Sequence, residues 1–218
     1  KTEDLESGAR IEVDEAKESP LDFALWKFSD EQVRECYIAC SKSNVDYMEI
    51  GFRNLNKPEF KEKYGSRVRF QALDIRSAQD VDDFIDTIFQ EGPLHGLVNN
   101  AAGNFISPTK DLSARGFDAI ANIVFHGTFY VTHAVGKKWI EQQIKGSIIS
   151  ILATWVWTGS PFVVPSAMSK SALHTMTKSL AVEWGPKGIR VNAIAPGPFP
   201  TEGMTARLSP KGDMQKDS

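Results

Sequence analysis

The rhythm of hydrophobic and polar positions changes along this chain at about residue 68. Before it, residues 1 to 27 are polar and charged. They hold one short alternation, Arg10-Ile11-Glu12-Val13, and a compact apolar group after Pro20, made of Leu21, Phe23, Ala24, Leu25 and Trp26. The pattern predicts a weakly structured lead-in. Ser29-Asp30-Glu31 then supplies an N-cap followed by acids, and Val33, Cys36, Tyr37 and Cys40 recur at helical spacing, which predicts a helix from about 30 to 41. Residues 45 to 51 are rich in β-formers and end at a glycine, so a strand follows. From Val68 onward, strands at 68–74, 96–100, 147–153 and 190–195 alternate with helices at about 78–90, 114–143 and 165–184. Ser77, three residues before Asp80, is placed to cap the first of those helices. Strand and helix in alternation predict a parallel sheet with crossover helices.

Composition narrows this picture. With 218 residues, 41% of them hydrophobic, the chain can bury the core of one α/β domain with a short appendage. The net charge of −3 and a pI near 5.9 give no general attraction to nucleic acid or to an anionic membrane surface, so neither is expected as a partner. No apolar run approaches a bilayer span, and Lys1-Thr2-Glu3-Asp4 is charged where a signal peptide needs apolar residues, so the expected location is cytoplasmic. Cys36 and Cys40 lie four apart on one face of the predicted helix. A disulfide, a redox pair and half a metal site are all open there, beside the plainer reading of two small buried hydrophobes. The histidines, His95, His126, His133 and His174, lack ligand-like spacing with carboxylates or thiols, and no metal site is expected.

A parallel sheet of this kind binds ligands outside the carboxyl ends of its strands, and chemistry is sought there. The second strand of the core runs into Asn99-Asn100-Ala101-Ala102-Gly103-Asn104-Phe105. Small residues there let backbone approach a flat ligand, and asparagine side chains can tie loops together; a generic strand-ending turn is the competing reading. Asp74 closes the preceding strand with a carboxylate able to accept from an exocyclic amine. Pro196-Gly197-Pro198-Phe199-Pro200-Thr201 forms a rigid turn able to present backbone donors to a carboxamide. Ser166-Ala167-Met168-Ser169-Lys170 opens the third helix, with Ser166 and Lys170 four apart on one face.

Those elements in that order resemble the short-chain dehydrogenase/reductase family and, within it, the 2,4-dienoyl-CoA reductases, over about residues 67 to 208. The likeness is carried by Asn99 to Phe105 with Ile106-Ser107-Pro108, by Phe162-Val163-Val164-Pro165-Ser166, and by Ala181 to Gly185 with Ile189 to Pro198. The resemblance implies a Rossmann-like, three-layer α/β fold with a parallel sheet. It also implies a tetramer that uses NADPH, NADH being the other possibility, to reduce the conjugated diene of a fatty acyl-CoA thioester. Self-association would run through the long helix at 114–143. Carried over residue by residue, Lys170 would hold the nicotinamide ribose, Ser166 would be the active-site serine, and Asp74 would contact adenine. Asn100, Ala101, Ala102 and Gly103 would line the cofactor, and Pro196, Gly197, Phe199 and Thr201 its nicotinamide end.

The chain departs from that pattern in places that bear on chemistry. Ser166 stands four before the lysine where most of the wider family has tyrosine, which is the dienoyl-CoA reductase arrangement. The tyrosine that this subfamily sets against the thioester oxygen falls on Trp155, whose indole donates a hydrogen bond but exchanges no proton near neutrality. The subfamily's partner asparagine, placed before a helix glycine, falls on His126 in Phe125-His126-Gly127-Thr128. That histidine either polarises the thioester or supplies a proton, or else it simply packs on its helix. The glycine-rich phosphate loop and first βαβ unit are not recognisable upstream of Val68, where the glycines are Gly8, Gly51 and Gly65. The family's last strand is not recognisable either. Residues 4 to 27 instead resemble an internal stretch of cysteinyl-tRNA synthetases, and 28 to 64 the early part of HMG-CoA-lyase-like aldolases, so the chain reads as a chimera. Residues 1–66 are then an atypical segment and 67–218 the reductase-like core. In strand order 3-2-1-4-5-6, either residues 10–13 and 45–51 fill the two positions between the strand at 68 and the one at 96, or the sheet is broken there.

Overall fold

The computed structural model describes residues 48–49, 68–69, 71 and 73–197. The predicted strand at 10–13, the predicted helix at 30–41 and both cysteines lie outside the described residues, as do Phe199 and Thr201. Two short strands, β1 (Met48–Glu49) and β2 (Val68–Arg69), pair in parallel with Met48 opposite Val68 and Glu49 opposite Arg69. Among the described residues this pair is a sheet of its own, distinct from the three-stranded sheet that follows. The paired part of β2 is two residues long, shorter than the strand predicted to run to Asp74, and Asp74 sits in a turn closed by the Ser77 N–H on its carbonyl at 3.1 Å.

The unit from Asp74 onward holds the core. Helix α1 (Ala78–Glu91) begins where Ser77 accepts from the Asp80 N–H at 3.3 Å. It buries Val81, Ile85 and Ile88 at helical spacing, and it stops at Gly92. Strands β3 (Gly96–Asn99), β4 (Gly146–Ile151) and β5 (Ile189–Ile194) form one parallel sheet in that order, with Leu97, Ile148 and Val191 in register across it. The predicted helix at 114–143 is a continuous run of α2 (Ala114–Ala121), a π-helical stretch (Asn122–Gly127) and α3 (Thr128–Glu141). At the end of the wide turn Gly127 lies against Ile75, where an added Cβ would meet its side chain at 2.7 Å, so only glycine fits without a shift. Phe125 and Phe129 are exposed on this long element. A short turn, α4 (Trp155–Thr158), precedes α5 (Val164–Trp184), which starts with proline in its first turn.

The three crossovers pack on one face of the sheet: α3 against β3, α5 against β5, and α1 against α3. Buried polar groups on that face are paired. Asn99 donates to Thr132 Oγ1 at 2.8 Å and to Ser150 Oγ at 3.3 Å, which ties β3 to α3 and β4 just below the strand ends. No helix among the described residues is long and apolar enough to cross a membrane.

Candidate active site

The sheet brings the carboxyl ends of β3, β4 and β5 side by side, and the start of α5 lies next to them. Ser166 and Lys170, one helical turn apart, are both buried. The Lys170 ammonium donates to the carbonyl of Ile151, the last residue of β4. Burial with no carboxylate partner among the described residues pushes its pKa down from 10.5 to about 8. A cation held there without a counter-charge is suited to polar, electron-rich atoms of a ligand.

Two further buried donors near the strand ends stand without a partner. The Trp155 indole N–H, on the turn that follows β4, has no acceptor, and neither does the carboxamide N–H of Asn104 beyond the end of β3. Buried donors are nearly always satisfied, so two such groups at adjacent strand ends are functional candidates. Asn104 is held in place because its Oδ1 accepts from the Phe105 N–H at 3.0 Å. The neighbouring side chains Phe105 and Val156 pack on one cluster, built of Ala102, Ile120, Val124, Leu152 and Leu173, so the two donors flank the same core. Sequence reasoning quoted Asn104 within its motif and gave it no role; the available signal was an amide just past an apolar strand.

The remaining candidates are placed as follows. Ala102 and Gly103 are buried, with Ala102 inside that cluster, while Asn100, Ala101 and Pro196 are half-buried and Gly197 is exposed. Asp74 is exposed, and its carboxylate is gripped by Arg76 through four hydrogen bonds of 2.6 to 3.0 Å, side chain and N–H together. That guanidinium holds the carboxyl below its ordinary range. His126 lies exposed on the π-helical turn, its ring 4.9 Å from Phe125 and 6.1 Å from Tyr130, with no hydrogen bond to Ser166, Lys170 or Trp155. Trp155 opens a helical turn and does not sit on an irregular loop. Among the described residues no group of three metal-ligating side chains occurs.

Parallel strands with crossover helices on one face, strand-end asparagines and a buried lysine one turn after a buried serine define a Rossmann-like α/β fold. The chain belongs to the short chain dehydrogenase family, whose model matches residues 45–212 and so takes in β1 as well as the core. It is 50% identical over 135 residues to a probable 2,4-dienoyl-CoA reductase, (3E)-enoyl-CoA-producing, of Caenorhabditis elegans, covering 62% of this chain and 43% of that protein. Among solved structures it resembles a short chain dehydrogenase from Bacillus anthracis, with TM-score 0.67, 43% identity, and coverage of 72% of this chain and 67% of that one. It also resembles a gluconate 5-dehydrogenase from Burkholderia cenocepacia in complex with NADP and tartrate, with TM-score 0.67, 27% identity and coverage of 75% and 66%. The chain spans about half the length of the curated relatives it matches.

Proposed function

We propose that this chain carries the reacting end of a nicotinamide-dependent reductase acting on enoyl- or dienoyl-CoA thioesters, with NADPH as the cofactor. The observation that supports this reading is the pair of buried, unpaired donors, Asn104 and Trp155, beside a buried lysine. A thioester carbonyl gaining negative charge during reduction needs such donors, held in place before the reaction. The relative named as a dienoyl-CoA reductase supports the substrate class, and the NADP-bound structure supports a nicotinamide cofactor.

The residues present suit a nicotinamide ribose: Lys170 offers a buried ammonium, and Asn100 and Ala101 offer half-buried backbone at the end of β3. When bound, the cofactor supplies hydride. Lys170 holds ribose hydroxyls and Ser166 lines the reacting end, while Trp155 and Asn104 hold the carbonyl oxygen. Trp155 gives its hydrogen bond without giving its proton. His126, exposed on the π-helical turn, is the group we propose as the proton source, since it can exchange with water.

The test is a titration of NADPH and of NADH followed by nicotinamide fluorescence. Saturable binding, tighter for NADPH, is the expected result, and no binding at millimolar cofactor would overturn the reading in favour of a reductase-derived core that no longer binds it. That second reading rests on the absence of a glycine-rich loop before Val68. In the same assay with an acyl-CoA substrate, Trp155→Phe, which keeps the ring volume and removes the N–H, should lower kcat by about 10²-fold. His126→Gln should lower kcat by about 10²-fold. Wild-type kcat in Trp155→Phe or in His126→Gln would remove the role assigned to that residue.

A further inference from the structure

Two non-glycine residues among the described ones carry a left-handed backbone, Gln143 with φ 56° and Phe162 with φ 64°. Gln143 is accounted for by its place. It follows the last turn of α3, where the Ile144 N–H donates to Trp139 O at 2.8 Å and the Gln143 N–H to Ile140 O at 3.4 Å, the pairing that stops a helix at such a residue. Phe162 ends no helix. It lies just before α5, in the loop that joins Trp155 to Ser166, and it is 48% exposed, so burial of its ring does not account for its backbone. Bulky residues in the left-handed region are strained, and they persist where the surrounding structure holds them there. What holds Phe162 is a bond between loops. Its carbonyl accepts from the N–H of Ser107, a buried residue, at 2.9 Å. Among the described residues this is the one backbone hydrogen bond between the loop that follows β3, which carries Asn104, and the loop that follows β4, which carries Trp155. The second loop is bent at its other end too, where Gly159, with φ 69°, donates to Trp155 O at 2.8 Å.

We propose that Phe162 is a positioning residue, whose left-handed backbone latches the Asn104 loop to the Trp155 loop and so sets the separation of the two unpaired donors. This rests on the reading in which those donors hold a thioester oxygen. Both loops already pack on one apolar cluster, through Phe105 and Val156. Apolar packing is non-directional, whereas two donors aimed at one oxygen must be held in direction as well as in distance. The Ser107–Phe162 bond supplies that tie. Returning Phe162 to a negative φ re-aims its peptide, takes the carbonyl away from Ser107 and leaves the N–H of a buried residue without an acceptor. The loops are then free to separate, and Asn104 and Trp155 with them.

Two variants of the full chain test this. Phe162→Asn removes the ring and tolerates a left-handed backbone, while Phe162→Val removes the ring and, being β-branched, is excluded from that region. Amide hydrogen exchange at Ser107 and Gly159 is measured without ligand, and kcat and KM are measured for NADPH-dependent reduction of an acyl-CoA. In Phe162→Asn both amides should stay protected. In Phe162→Val both should exchange about tenfold faster, as local opening becomes easier. Its kcat should lie about 10- to 100-fold below that of Phe162→Asn at similar KM for NADPH, the effect of misplaced donors. Equal exchange in the two variants would overturn the latch, and faster exchange with equal kcat would overturn its positioning role. Turnover absent in the wild type as well would count against the reductase reading, and exchange at the two amides would still decide the latch. If Phe162→Val does not fold, Phe162→Ala takes its place. Ser107 should then exchange faster in Phe162→Ala than in Phe162→Asn, and equal rates would overturn the proposal.

Discussion

Replacing Lys170 with methionine is expected to abolish function and to stabilise the fold. On the functional side, the ammonium is the one buried cation at the strand ends among the described residues, donating to Ile151 O. Without it, kcat/KM should fall by about 10²- to 10³-fold and cofactor affinity should weaken, because an oriented charge in a dry site is lost. On the stability side, burial has lowered the pKa to about 8 from 10.5, so the folded protein keeps a desolvated charge at pH 7 at a cost. Methionine fills a similar volume without that charge, and about 1–3 kcal/mol of added stability is expected, reduced in part by the Ile151 carbonyl losing a donor. The pH dependence has a definite sign. Between about pH 8 and 10.5 the unfolded chain binds more protons at this lysine than the folded one, so wild-type stability rises with pH through that window. Below about 8 the penalty is constant. Urea unfolding of both proteins at pH 7 and pH 10 should show the variant's advantage shrinking at the higher pH. A variant less stable than wild type at pH 7, with unaltered cofactor affinity, would remove Lys170 from both roles.

Much of this site was legible because the strands of a parallel sheet read as short β-branched runs between turn residues, such as Ser147-Ile148-Ile149-Ser150-Ile151. The strand ends then follow directly, and with them the neighbourhood of Asn99 to Phe105, Ser150 to Trp157 and Ser166 to Lys170. The Ser77 cap was equally legible, since capping chemistry is local. Other features depend on partners that are distant in sequence. The unpaired state of Asn104 and Trp155 is a property of their surroundings, and nothing in either residue announces it. The π-helical turn coincides with Gly127 lying against Ile75, more than fifty positions earlier, a contact that no periodicity records. The sequence offers Asp74 as an acceptor only where the strand continues to it; the chain turns there instead, and Arg76 two residues on reaches back to both of its oxygens. The strand at Val68 shortened for a related reason. A strand lasts only as long as its neighbour pairs with it, and the observed pairing with Met48–Glu49 is two residues long.

Trp139→Ala should be the most destabilising single change in the described core, costing about 3–5 kcal/mol in urea unfolding. Burial and two specific contacts would go at once. The indole is fully buried, and its N–H donates to Leu94 O at 2.6 Å, which fixes the chain just before β3. Its ring lies flat against Gly146, the first residue of β4, where an added Cβ would stand 2.6 Å from ring atoms. The side chain therefore sets the spacing between α3 and the amino ends of two neighbouring strands, and alanine leaves a cavity beside a buried carbonyl that has lost its donor. Set against a domain stability of about 5–15 kcal/mol, such a loss brings the protein close to its unfolding threshold. Trp139→Phe separates the terms. It keeps most of the ring and loses only the hydrogen bond to Leu94 and part of the packing, so it should cost about 1–2 kcal/mol. Gly146→Ala approaches the same contact from the other side and should cost about 1–3 kcal/mol by overpacking, with the loss reduced when it is combined with Trp139→Phe, because the smaller ring makes room for the methyl. Strictly additive losses in that double variant, or a loss under about 1 kcal/mol for Trp139→Ala, would show that this contact does not set the spacing of α3 and β4.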